Sequence, residues 1–86
     1  MESKLPKWFD GPKYKQGDIV ANPFSGEEIY LDRDELSMYN FLKGAEYILM
    51  IMSKQDKTND KLLDEFHKGR DWFVKNNIDA YMALID

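Results

Sequence analysis

The amino-acid sequence predicts an α+β fold, in which an N-terminal β-hairpin packs on a long central helix. A second, antiparallel helix and a short C-terminal helix follow. Three observations predict this fold. Two short β-prone runs flank a turn, apolar residues between positions 38 and 52 recur with helical spacing, and a second helical pattern follows a polar connector. A chain of 86 residues is of a size for one domain.

The first segment, residues 1–17, is predicted to be an extended lead-in to a single α+β domain at residues 18–86, because prolines and glycines interrupt any helix there. Aromatic residues alternate with lysines in this lead-in, and such a density of rings is unusual for a mobile tail. We therefore expect the lead-in to lie on the body of the domain or on a partner. The hairpin is predicted at about residues 18–31, with a positive φ at Gly26 in its turn.

Three helices are predicted, at about residues 33–52, 60–75 and 80–85. Asp32 and Glu35 have the spacing of a capping box, which makes the first of these helices the strongest prediction in the chain. Thr58 or Asn59 is expected to cap the second helix, and Asp79 the third.

Two glycines inside the predicted helices invite an explanation, because glycine destabilises a helix interior. One reason to keep glycine there is close approach of two backbones. We therefore expect the first helix to cross the second near Gly44 and Gly69. Asn76 and Asn77 suit the end of the second helix, since asparagine tolerates the left-handed conformation.

The composition excludes several classes of protein. The chain has no cysteine, so it has neither disulfides nor thiolate metal sites, and this favours a reducing, cytoplasmic location. The longest apolar run, at residues 47–52, is too short to span a membrane. The net charge is −4, and six acids between residues 18 and 42 face only one arginine, which disfavours nucleic acid as a partner.

Catalytic, metal and cofactor sites are not expected, and we predict that the protein is not an enzyme. His67 stands near two aspartates, but a single such set on one helix is weak for a metal site. The run that starts at Asp56 resembles an EF-hand loop only until Lys61, which replaces the required glycine. No serine has a recognisable base, and no glycine-rich phosphate loop is present.

Protein binding is the remaining prediction, with aromatic anchors and an acidic rim as the contact residues. The predicted anchors are Trp8, Phe9, Phe24 and Tyr30, and the predicted rim is Glu27, Glu28, Asp32 and Asp34. The first helix is apolar on several sides, so its residues Tyr47, Met50 and Ile51 are either covered by the lead-in or form a homodimer contact.

Two other functions compete with this prediction. The lysine-rich aromatic lead-in, with Trp8 at its centre, has the residue types that stack and neutralise single-stranded nucleic acid. In the second alternative, the protein is a DNA mimic, whose acidic residues take the place of DNA phosphates and bind a basic protein.

The run from Gly17 to Glu28, continuing to Leu36 and Tyr39, resembles small uncharacterised proteins of tailed bacteriophages. The segments at residues 69–73 and 81–84 look similar as well. This resemblance implies a viral setting in the host cytoplasm and lends no catalytic residue. Together with the residue pattern, it predicts a phage accessory protein that binds a host or virion protein.

Overall fold

The computed structural model describes residues 3–85, and it has the predicted α+β architecture. Two strands form an antiparallel hairpin, and three helices follow. These elements are β1 Asp18–Ala21, β2 Glu28–Leu31, α1 Arg33–Lys54, α2 Asp60–Asn76 and α3 Ile78–Leu84. The helix α2 returns along α1, and α3 packs against α2 and β2.

The hairpin has the predicted position, and its register separates two faces. Asp18 pairs with Leu31 and Ile19 pairs with Tyr30. Because side chains alternate across a strand, Leu31 points inward and is fully buried, while Tyr30 points away from the core. Gly26 has a φ of 76°, so the predicted left-handed turn residue is confirmed.

The start of α1 is the predicted capping box. The Asp32 carboxylate accepts a hydrogen bond from the Glu35 backbone at 2.8 Å, and the Glu35 carboxylate accepts one from the Asp32 backbone at 3.0 Å. Asn59 caps α2 by accepting from the backbone N–H of Leu62. Both caps depend on hydrogen bonds between residues three apart, which a sequence pattern describes directly.

The start of α3 corrects one prediction. Asn77, and not Asp79, is its N-cap, and its side chain accepts from the backbone of Ala80 at 3.1 Å. Asn77 also ends α2, but it does so in an extended conformation with φ −159° and not in the left-handed one. The single residue between the two helices therefore serves both, and α3 begins two residues before its predicted start.

The two helical glycines behave differently. A Cβ atom on Gly69 would lie 2.9 Å from the Leu42 side chain and 3.0 Å from the Met38 sulfur, so α1 and α2 do approach closely here. Gly44 is exposed and has open space around it. The prediction of a helix crossing is thus confirmed at Gly69 and wrong at Gly44.

The lead-in packs on the body of the domain and supplies part of its core. Phe9 is only 5% exposed and joins a buried cluster built from every helix and from β2. The other buried members of that cluster are Leu31, Leu36, Met38, Leu42, Phe73, Ala80, Ala83 and Leu84. The Trp72 indole N–H also donates to the Lys4 backbone carbonyl at 3.0 Å, which ties the lead-in to α2.

Candidate interaction surface

The turn between the two strands presents an aromatic ring to solvent. Phe24 is 96% exposed, the largest exposure among the large hydrophobic residues that the structure describes. Exposing a whole phenylalanine forgoes the free energy that its burial would supply, about 1.5–3 kcal/mol. The ring thus adds nothing to the stability of the monomer.

Hydrogen bonds from Asn22 hold this turn in one conformation. Its side-chain oxygen accepts from the backbone N–H of Phe24 at 2.8 Å and from that of Ser25 at 3.3 Å. Its side-chain nitrogen donates to the Ala83 carbonyl of α3 at 2.8 Å, so the turn is anchored to the body of the domain. The exposed ring is therefore carried by an ordered loop.

The outer face of the hairpin carries further exposed apolar side chains. Ile19 and Tyr30 are cross-strand partners, and each is 60% exposed. Glu28, on the same face, and Glu27, in the turn, are both exposed. We call Ile19, Phe24, Glu27, Glu28 and Tyr30 the hairpin surface. The sequence did not predict Ile19 as a contact residue, because only the strand register decides which residue of β1 faces outward.

The predicted acidic residues at the start of α1 hold the lead-in in place. Asp34 is only 5% exposed, and its carboxylate accepts from the Ser3 hydroxyl at 3.0 Å and from the Lys4 backbone at 2.7 Å. Asp32 forms a 2.8 Å ion pair with the Lys4 ammonium. The predicted exposure of Asp34 needs correction, because this carboxylate serves the fold.

The ion pair changes the acidity of both partners. Burial acts to raise the pKa of Asp32, but hydrogen bonds from the Glu35 backbone and from the Lys4 ammonium outweigh it and hold that pKa below its ordinary value. The hydrogen bond to Asp32 correspondingly raises the pKa of Lys4. A depressed carboxylate pKa stabilises the fold above the pKa of the unfolded chain, and this contribution is lost as the pH falls through the folded value.

We expect Asp32→Asn to remove this pH dependence, because asparagine still caps the helix but does not titrate. At pH 7 the variant should be less stable than the wild type by up to about 1 kcal/mol, as is usual for an exposed ion pair. Near pH 3 the difference should be smaller, because the pH is then below the ordinary pKa of about 3.9 and approaches the lower pKa of the folded carboxylate, through which the contribution is lost. Urea unfolding of both proteins at the two pH values measures this, and an equal difference at both would contradict it.

The predicted aromatic anchors of the lead-in lie in or beside the core. The rings of Trp8 and Phe9 each pack on Phe41, with centroid distances of 5.8 and 5.6 Å. Trp8 is half-buried and Phe9 is buried, so the exposure expected of Phe9 needs correction. The buried ring of Phe9 cannot stack on a base, which weakens the single-stranded nucleic-acid hypothesis, whereas Trp8 lines an open surface hollow with Lys68 and Lys75.

The predicted self-association residues lie in the second half of α1. Tyr47 is 61% exposed and Met50 is 50% exposed, whereas Ile51 is half-buried. The lead-in covers another part of α1, around Phe41 and Ser37. These residues are separate from the hairpin surface.

Small hollows elsewhere offer little catalytic chemistry. An open groove of about 410 Å³ lies between the lead-in and the start of α1, and its lining includes Lys4, Lys15, Tyr30 and Asp32. Within residues 3–85, no cluster of three His, Cys, Asp or Glu residues could hold a metal ion. His67 is exposed on α2, beside the ring of Phe66.

The length and hydrophobicity of the helices show whether any of them could cross a membrane. Over the part of the chain that the structure describes, none is both long and apolar enough to cross a bilayer. The hairpin surface is the candidate contact site, because its turn is held by the hydrogen bonds of Asn22. Comparison with protein-family models, with curated proteins and with solved structures found no match.

Proposed function

We propose that this chain is a small, non-catalytic protein–protein interaction module that binds its partner through the hairpin surface. The observation that carries the proposal is Phe24, which is almost fully exposed on a turn that Asn22 fixes by hydrogen bonds. An aromatic anchor inserted into a pocket is typical of residues that dominate binding energy.

Order in the free protein strengthens this argument. A loop that is already in its bound conformation loses little conformational entropy on binding, so more of the contact energy appears as affinity. The turn is further fixed by a hydrogen bond from the Gly26 backbone to the Asn22 carbonyl at 2.8 Å. Ile19 and Tyr30 add exposed apolar area on the outer face of the same hairpin.

The charge of this surface indicates the character of the partner. Glu27 and Glu28 are exposed at the turn end of the hairpin, and no cation lies between positions 18 and 32. Lys4 and Lys15 line the groove beside Tyr30, at the other end of the strands. A partner with an apolar pocket bordered by lysine or arginine complements this arrangement, and opposite charges accelerate association. This favours a basic protein surface as the target.

The biological setting of the proposal comes from the resemblance described above. Similarity of residues 17–28 to small proteins of tailed bacteriophages supports an accessory protein that acts on a host or virion protein in the host cytoplasm. A DNA mimic is less well supported, because Asp34 is buried and Asp32 is paired with Lys4. A DNA mimic needs a row of exposed carboxylates that imitates the phosphates of a DNA strand.

Binding should depend on the anchor more than on any other residue of the domain. We expect Phe24→Ala to weaken partner binding at least about 30-fold, the effect of losing a 2 kcal/mol hot spot. The double substitution Glu27→Lys and Glu28→Lys should slow association and reduce its salt dependence. The measurement is capture from bacterial lysate, identification of the captured protein, and then titration with the purified partner.

A matched control separates contact from stability. Met82, on α3, is 61% exposed, so Met82→Ala removes a similar exposed apolar side chain from another surface. Capture should survive this change. A partner that is bound equally well by wild type, Phe24→Ala and the double glutamate variant would show that the hairpin surface is not the contact site.

A further inference from the structure

A hollow between the lead-in and α2 is lined by both tryptophans of the chain. Trp8 comes from the lead-in and Trp72 from α2, and the hollow, which is open to solvent, has a volume of about 300 Å³. Each indole is half-buried, so part of each ring stays accessible. A hollow of this size is at the lower end of the range for ligand sites, so it suits a single small ring system.

Contacts with the core hold both indole rings in place. Trp8 packs on Phe41 with centroids 5.8 Å apart, and it lies against α2 at Gly69, where a Cβ atom would be 3.6 Å from its ring. Trp72 packs edge-on against Phe73 with centroids 6.1 Å apart, and its indole N–H donates to the lead-in backbone at 3.0 Å. Rings that are already fixed lose little conformational entropy when a ligand stacks on them.

Two lysines of the hollow flank Trp72 along α2. Lys68, Trp72 and Lys75 stand at positions i, i+4 and i+7, which places them on one side of the helix. Within residues 3–85, Lys75 forms no ion pair. Lys68 pairs with Asp64 at 2.9 Å, but both side chains are more than half exposed, and such a pair contributes little. Both ammonium groups can therefore bind an external anion.

The order of these groups along α2 is cation, aromatic ring, cation. A nucleotide inside a single strand has the matching order, because its base lies between two backbone phosphates. Aromatic rings that stack on bases and cations that follow the backbone are the two components of single-strand binding sites. A free nucleoside monophosphate has a phosphate on one side only, and a neutral sugar ring has none. The arrangement therefore favours one unit of a strand over either small molecule.

The charge of the hollow permits this binding but limits its strength. Asp71 also lines the hollow, so two lysines and one aspartate leave a local net charge of +1. Glu27 and Glu28, the acids of the hairpin surface, are not part of its lining. The chain as a whole carries a net charge of −4, which repels a strand at long range. Binding should therefore be weak and should fall as salt screens the lysines.

We propose that this hollow binds one nucleotide of a single-stranded nucleic acid. The base stacks on the accessible parts of Trp8 and Trp72, and the adjoining phosphates contact Lys68 and Lys75. Because every base has a face on which to stack, the site discriminates little between sequences. The hairpin surface takes no part in this contact, so the inference stands or falls separately from the proposed function.

Tryptophan fluorescence of the full chain tests the proposal, because both tryptophans line the hollow and a stacked base quenches them. The probe is an oligothymidylate of about four nucleotides, the low end of single-strand site sizes. At about 20 mM salt the wild type should bind it with a dissociation constant below about 100 µM, within the range of non-specific binding. Two phosphate contacts predict a log–log salt slope of about −1.4, so about 200 mM salt should weaken binding roughly 25-fold.

A lysine variant and its matched control locate the contact. Lys75→Gln should weaken binding at about 20 mM salt at least about fivefold and halve the salt slope to about −0.7. Lys57→Gln removes the same charge from the connector before α2, outside the hollow, and should leave the slope unchanged. Both lysines are exposed, so urea unfolding should show equal stability for the two variants.

Two further measurements test the stacking and the strand. Trp72→Leu should weaken binding at least about fivefold, read from quenching of Trp8. If this variant unfolds, the Lys75→Gln slope decides alone. Thymidine monophosphate, which contacts one lysine, should bind at least about fivefold more weakly than the oligonucleotide. Phe24→Ala, on the hairpin surface, should bind the oligonucleotide as the wild type does.

Three results would overturn the proposal. The first is fluorescence that about 100 µM oligonucleotide leaves unchanged at about 20 mM salt, since even non-specific binding would then be absent. The second is binding that Lys75→Gln and Lys57→Gln weaken equally, which would place the contact outside the hollow. The third is equal affinity for the monophosphate and the oligonucleotide, which would assign the hollow to a free nucleotide and not to a strand.

Discussion

Phe9→Ala is expected to cost the domain about 3–5 kcal/mol, as other buried phenylalanines do on truncation. The ring is only 5% exposed and packs edge-on against Phe41 with centroids 5.6 Å apart. It lies in the lead-in, which the sequence pattern separates from the domain. A large loss of stability would show that residues 3–17 belong to the cooperative folded unit.

The measurement is urea or thermal unfolding at pH 7. A loss of 3 kcal/mol should lower the melting temperature by about 12–24 °C in a domain of this size, at roughly 4–8 °C per kcal/mol. Phe24→Ala is the matched control, because it removes the same side chain from a position that is 96% exposed. Its stability should stay within about 0.5 kcal/mol of the wild type.

A small effect of Phe9→Ala on the free energy of unfolding would support the predicted boundary between the lead-in and the domain at residue 17. A loss below about 1 kcal/mol is what a partly exposed ring would give, and not a core residue. In that case residues 18–86 should fold without the lead-in. A domain of this length buries little surface, so loss of one core phenylalanine matters more here than in a larger protein.

Sequence patterns predicted the secondary structure well because its signals are local. The capping box of Asp32 and Glu35 and the cap at Asn59 are hydrogen bonds between neighbouring residues, and the turn at Gly26 needs only a positive φ. Asn77 shows the limit of this approach. One residue caps two helices there, and its hydrogen bond to Glu35 at 3.2 Å connects positions 42 residues apart.

The candidate site was predictable only in part, because exposure depends on tertiary packing. Phe24 and Glu27 follow from the turn itself, and both are exposed. Phe9 and Asp34 have the same residue types as contact residues, but the lead-in folds back and buries them. No pattern along the chain records that a ring at position 9 meets Phe41.

The two glycines of the helices make the same point. Gly44 and Gly69 are alike in sequence, since each interrupts a helical pattern. The rotation of each helix about its own axis decides which glycine faces a neighbour, and only contacts made by distant residues fix that rotation. Gly69 therefore lies where α1 and α2 approach closely, whereas Gly44 faces open space.

Gly17→Ala is expected to cost about 1–3 kcal/mol or more, the range for overpacked sites, because the added methyl group has no space. Its Cβ atom would collide with the Leu31 carbonyl oxygen and with the Tyr30 hydroxyl. The tyrosine can swing away, but the carbonyl belongs to the backbone of β2. The strand, the lead-in or both must move, and the hairpin should lose part of its register.

Gly44→Ala is the matched control for this change, since it adds the same methyl group to a glycine with open space. It should stabilise the domain by up to about 1 kcal/mol, the helix preference of alanine over glycine. Opposite signs for the two substitutions, measured by urea unfolding, would establish that close contact with Leu31 and not backbone freedom accounts for Gly17. Equal changes in unfolding free energy at both positions would contradict that explanation, because the entropy of the unfolded chain falls by the same amount when either glycine becomes alanine.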